Sequence, residues 1–154
     1  MIAHVSILLM LFLPAPLADN ADEATKIAAK LTTEGAANFD RKDSKTLAES
    51  YTEDASLTLV SKDKDTGGIK TESKRGRGEI QGFYDSLFKD AGTVHSKNTV
   101  EHARRINDDL LLITGVFEPS VPSENIRVAF VQIRVRQDDK WRISNLQLFL
   151  LEDK

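Results

Sequence analysis

An α+β domain, with helices laid on one face of a curved sheet, is the fold class predicted by three observations. The stretch Ile126–Leu150 contains two strand-length runs, IRVAFVQIRV and WRISNLQLFL, on either side of a polar Asp-Asp break, which is the signature of a hairpin. Glu79–Ala91 places Ile80, Phe83, Tyr84, Leu87 and Phe88 at the three- and four-residue steps of an amphipathic helix. The order along the chain is helix, helix, hairpin, helix, then about four long strands, which suits helices stacked on a mostly antiparallel sheet.

Each element has its own reason. Met1–Ala18 contains no Asp, Glu, Lys or Arg, and VSILLMLFL runs up to Pro14 and Pro16, so it reads as a secretory leader with the mature chain starting near Asp19. An apolar run of roughly ten residues is too short to span a bilayer. From Ala21 to Phe39 the apolar positions return at helical intervals, with Gly35 as a weak point. A second short helix starts at Asp43 or Ser44 as N-cap and carries Leu47, Ala48 and Tyr51 on one face. Ala55–Val60 alternates as a strand, Lys62–Gly68 supplies turn chemistry, and Ile69–Ser73 returns as its partner. Gly92 closes the third helix. Val94–Ile106 and Leu110–Phe117 form another hairpin around Asn107–Asp109, and Glu118–Asn125, with two prolines, is a loop.

In the last hairpin, pairing Arg136 with Trp141 and alternating strictly would set Gln132 opposite Asn145 and Phe130 opposite Gln147. One face then holds Val128, Phe130, Gln132, Arg134, Trp141, Ile143, Asn145, Gln147 and Phe149. The other holds Val131, Ile133, Leu146 and Leu148. Neither suits water, so helices cover one and a second subunit is expected on the other.

The 154 residues fit one domain, spanning 21–150 after the leader. A net charge of −3, from 21 basic and 24 acidic side chains well mixed along the chain, gives no bulk attraction to nucleic acid or, once the leader is gone, to membranes. The chain has no cysteine and three histidines, one of them in the leader, which excludes disulfides and thiolate chemistry and argues against a metal centre or cofactor. The basic stretch KTESKRGR has no phosphate-cradle spacing and reads as a solvated edge.

Among candidate site residues, Gln132, Asn145 and Gln147 lie among Phe130, Trp141 and Ile143, a mix of amides and aromatics that suits a small-molecule pocket. The competing reading is a closed core in which the amides bond one another. Tyr51 and Tyr84 end apolar stripes and read as core residues, the alternative being that their hydroxyls reach toward a cavity. His102 and Arg104 share a strand face and form a pair able to act on an anionic or carbonyl ligand, or else a solvated strand edge. His95 reads as solvated. Asp54 either ends the second helix or serves as a base.

Together, NFDRKDSKTLAESYTEDASLTL, RGRGEIQGFYDSLF and DDKWRISNLQLF resemble, in order and spacing, the nuclear transport factor 2-like superfamily, and within it the SnoaL-like and polyketide cyclase-like groups. The resemblance covers about Ala21 to Leu150. It implies a cone-shaped sheet wrapping a long helix, a cystatin-like roll, often dimeric through the outer sheet face. The related ketosteroid isomerases use an aspartate base, a first-helix tyrosine and an acidic donor in the penultimate strand. Matched on Asp43 and Asp54, those positions fall here on Leu59, Gly35 and Gln132, so the acid-base groups are missing. Three functions are therefore expected in order: an exported, noncatalytic or weakly catalytic domain binding a small, largely apolar ligand; a cyclase, isomerase or hydratase using His102 or Asp54; and a homo-oligomeric interaction module.

Overall fold

The protein is described by a computed structural model over residues 17–121 and 124–150. The expected leader therefore lies outside the described residues up to position 16. The elements are α1 (Leu17–Asp40), α2 (Ser44–Glu49), β1 (Tyr51–Lys62), β2 (Ile69–Arg75), α3 (Gly76–Phe88), β3 (His95–Asn107), β4 (Leu110–Val121), β5 (Glu124–Asn125), β6 (Val128–Gln137) and β7 (Lys140–Leu150). Neighbouring strands run in the order β2-β1-β7-β6-β4-β3, with β5 paired to β4. The sheet is mixed rather than wholly antiparallel, because β7 returns alongside β1 in parallel. Where a loop is expected from Glu118 to Asn125, β4 instead continues to Val121 and folds back on β5.

Small residues let α1 lie close against the sheet. Ala24, Ala28 and Ala36 are buried on one face of the helix, three or four residues from their neighbours Thr32 and Phe39. Polar clamps then fix it along β3. The Ser96 amide and hydroxyl donate to the Asp40 carboxylate at 2.8 and 2.6 Å. The Asn98 amide donates to the Thr32 carbonyl at 2.8 Å, and Arg105 pairs with Glu23 at 3.0 Å. Lys42 takes a φ of 55° to reverse the chain after α1, and Asp43 caps α2 by accepting from the Thr46 amide at 2.9 Å. That bond holds the Asp43 carboxyl below its ordinary range. Tyr51, expected to end the second helical stripe, instead opens β1, because α2 stops at Glu49.

The β6–β7 hairpin has the turn its sequence suggests. Asp138 and Asp139 take φ of 49° and 58°, the left-handed pair of a two-residue type I′ turn, between Gln137 and Lys140. Arg136 does pair with Trp141, but strict alternation then fails. Arg134 pairs with Ile143 and Ile133 pairs with Asn145, so Ser144 is an extra residue in β7, a β-bulge. Its hydroxyl donates to the Ile133 carbonyl at 3.1 Å. Beyond the bulge the faces of β7 are exchanged: Leu146 lies opposite Gln132 and Leu148 opposite Phe130, toward the helices, while Asn145, Gln147 and Phe149 turn outward. Burying leucines there in place of amides favours the bulged register by about 1.5–3 kcal/mol for each fully buried leucine. Of the four residues expected on the outer face, Val131 and Ile133 lie there and Leu146 and Leu148 do not.

Gly115 sits where the sheet is tightest. A Cβ there would lie 2.2 Å from the Thr99 carbonyl oxygen and 2.9 Å from the Phe130 ring. Gly35, in the middle of α1, has open space around the same position. Denaturant unfolding should show Gly115→Ala destabilising by about 1–3 kcal/mol through overpacking, and Gly35→Ala stabilising by roughly 0.5–1 kcal/mol through helix propensity.

Candidate functional site: a cavity between the helices and the sheet

A cavity of about 400 Å³ lies between α1, α3 and the concave sheet face. Leu31, Phe39, Leu59, Phe83, Phe130 and Leu146 are among its walls, so most of its lining is aliphatic or aromatic. A second, more polar groove of about 770 Å³ shares Leu31, Glu34, Asn38, Ser50 and Trp141 with it, so the two adjoin between α1, α2 and the β6–β7 turn.

The most deeply buried hydrogen-bonding groups at one corner of the cavity come from three elements. β6 contributes Gln132 and Arg134, which are 8% and 4% exposed. The Arg134 Nε donates to the Gln132 Oε1 at 3.0 Å, which orients the amide so that its NH₂ group points away from the guanidinium. β1 contributes Tyr51 and α3 contributes Tyr84, and their hydroxyls are hydrogen-bonded at 2.8 Å. Arg77, near the start of α3, secures this corner by donating to the Tyr51 carbonyl at 2.8 Å.

Burial sets the electrostatics. It pushes the Arg134 guanidinium down to about 10, an effect partly opposed by Tyr51, Glu34 and Tyr84, so the group is still a cation at neutral pH. It pushes the Tyr51 hydroxyl well above the ordinary phenol range, with Tyr84 adding to the rise, and it raises Tyr84 as well. No carboxylate among the described residues forms an ion pair with Arg134. Glu34 is exposed and acts on it only at a distance.

The residues expected to form a site are divided by this geometry. Tyr51, Tyr84, Phe130, Gln132 and Trp141 line the cavity. Asn145 and Gln147 do not: the bulge at Ser144 turns both to the convex face, where the Asn145 amide donates to the Ser56 hydroxyl at 2.7 Å. His102 and Arg104 are exposed on β3, paired with Thr114 and Leu112 on the same convex side, because only Ala103 between them faces inward. Asp54 is exposed on β1 rather than ending α2. His95 is exposed too. Leu59, Gly35 and Gln132, the positions matched to the isomerase acid-base groups, all line the cavity. Among the described residues no cluster of His, Cys, Asp or Glu is arranged to hold a metal.

Arg134 is the functional candidate that reading the sequence passed over. Alternation put it on the same face as Gln132, but only the amides and aromatics of that face were singled out. The missed signal was the two-residue spacing from Gln132, which carries the charge inward with the amide.

Tyr51 and Tyr84 are the only tyrosines of the chain, so its phenolate absorbance reports on this corner alone. Both phenols bind their protons more tightly folded than unfolded. Unfolding therefore releases protons above about pH 10, and their contribution to stability is lost as pH rises through that region. The lowered Arg134 acts in the opposite sense, since there the unfolded chain holds the proton more firmly. A spectrophotometric titration should show less phenolate near pH 10 than two free phenols would give, then a rise that coincides with loss of near-ultraviolet circular dichroism.

Comparison with known proteins reveals no matching family model and no matching curated protein. Solved structures do match. A domain of unknown function with a cystatin-like fold from Nostoc punctiforme is 16% identical, with a TM-score of 0.66 over 85% of this chain and 79% of that one. A nuclear transport factor 2-like protein of unknown function from Shewanella oneidensis is 17% identical, with a TM-score of 0.65 over 81% of this chain and 98% of that one. A nuclear transport factor 2-like protein with a cystatin-like fold from Novosphingobium aromaticivorans is 17% identical, with a TM-score of 0.58 over 86% and 84%. The chain has the nuclear transport factor 2-like, cystatin-like fold.

Proposed function

We propose that this chain is an exported small-molecule-binding domain that holds a largely apolar ligand in the cavity between its helices and its sheet, and that it is noncatalytic or weakly catalytic. The observation that carries the reading is the cavity itself: about 400 Å³, walled mostly by aliphatic and aromatic side chains, with a small number of polar groups among them. Neither Asp54 nor His102 touches it, which weighs against proton transfer by either residue. The SnoaL-like grouping within the superfamily is part of the same proposal and rests on the residue pattern.

Trp141 is the single tryptophan and lines the cavity. Titration with a small apolar compound library should therefore change the tryptophan emission at the concentrations that raise the melting temperature. If no compound in the library moves either signal, the binding reading fails.

The convex face supports a homodimer as the state in which the domain works. Val131 and Ile133 of β6, Leu112 of β4 and Phe149 of β7 lie there side by side and are only half-buried in the single chain. Sedimentation should show a dimer for the native chain and a monomer for Ile133→Lys, with tryptophan emission unchanged.

A further inference from the structure

The cavity holds a positive charge with which no carboxylate among the described residues forms an ion pair. Arg134 is 4% exposed, and its one hydrogen bond among the described residues runs from Nε to Gln132. The two terminal nitrogens of the guanidinium are therefore left with four N–H donors and no protein acceptor among those residues. A buried charge without a hydrogen-bonded counter-charge is costly, and replacing such a group with an apolar one is often neutral or stabilising. A structural role would call for a carboxylate within reach, yet none of the ion pairs among the described residues includes Arg134.

The neighbouring groups are also donors. Because Gln132 accepts from Arg134 through Oε1, its NH₂ points away from the guanidinium and donates to no acceptor among the described residues. In the Tyr51–Tyr84 pair one hydroxyl donates to the other, which leaves the second proton for a further acceptor. Three side chains thus present donors at one corner of a mostly apolar hollow. We infer that the ligand is an amphiphilic organic monoanion, whose carboxylate is gripped by Arg134 beside Gln132 and the tyrosine pair, while its apolar body fills the space between α1, α3 and the sheet. This rests on the binding function proposed above and specifies its ligand class.

Charge and size narrow the class further. One guanidinium balances one negative charge, and Glu34, which lines the cavity, opposes a second, so a carboxylate fits better than a phosphate dianion. At roughly 30 Å³ for a water-sized group, the cavity holds on the order of a dozen non-hydrogen atoms. A medium-chain or aromatic carboxylic acid is of that size.

Decanoate and decanol, matched in length and differing in charge, test the inference by calorimetry with Trp141 emission as a second readout. The native protein should bind decanoate at least about tenfold more tightly than decanol, as expected of hydrogen bonds to a charged group. Arg134→Met should bring that ratio close to one while decanol binding is retained, and Arg134→Lys should keep a reduced preference. Without ligand, Arg134→Met should melt at or above the native temperature, and Glu34→Gln should tighten decanoate binding. Equal affinity of the native protein for both probes overturns the inference but leaves the apolar binding function standing; binding of neither overturns that function. Arg134→Met and Glu34→Gln lowering the melting temperature by the same amount, with no further loss in the double variant, would make Glu34 the internal counter-ion and overturn the inference too.

Discussion

The extra residue at Ser144 decides what the concave side of the sheet is made of. Side chains alternate with a period of two along a strand, so inserting one residue into β7 exchanges the two faces for everything after it. Before the bulge, Trp141 and Ile143 face the helices; after it, Leu146 and Leu148 do. The hydroxyl of Ser144 takes the Ile133 carbonyl as its acceptor, so the break leaves that group satisfied. Without the shift, Asn145 and Gln147 would enter the hollow, and the leucines that now wall it would point outward. The leucine wall beside the corner formed by Gln132, Arg134, Tyr51 and Tyr84, and the exclusion of Asn145 and Gln147 from it, follow from that single insertion.

That corner is built on β6, which keeps a regular alternation. Val128, Phe130, Gln132 and Arg134 are all buried, and the residues between them are not. The first pair is ordinary core. The second places an amide and a cation in the same row, where their mutual hydrogen bond meets only part of the cost of burying them. Tyr51 reaches the corner from the first residue of β1, in the same sheet, and Tyr84 from α3 in the helix layer. Stability alone would not select this arrangement; a site that must supply donors to a guest can sustain it.

Much of this was legible in the chain because it is governed by short-range periodicity. The stripe on α3, the helical spacing through Phe39, and the Asp-Asp turn are each stated within about a dozen residues, and the structure follows them. The bulge was not, because WRISNLQLFL supports either face: strict alternation collects Asn145, Gln147 and Phe149, while a step of three from Ile143 collects Leu146, Leu148 and Leu150. Only the partner strand and the helices above it choose between the two. His102 and Arg104 stayed open between a ligand-facing pair and a solvated edge for a related reason. Their face depends on which side of β3 receives α1, and that is set by the alanines of a helix more than sixty residues earlier. Arg134 was on the right face from the start, but residue type outweighed position.

The parallel union of β1 with β7 has a kinetic side. Tyr51, Leu57 and Leu59 come early in the chain, yet the strand that seals them in is completed only at Leu150. During synthesis, therefore, the first half emerges with its greasy faces lacking their neighbour, and the hollow closes as the final act of assembly. Pairings that join such distant segments slow folding and prolong exposure of sticky intermediates. Loss of the second half of β7 would thus leave the earliest strand without a lid on that edge, an injury late in the chain felt some ninety residues earlier.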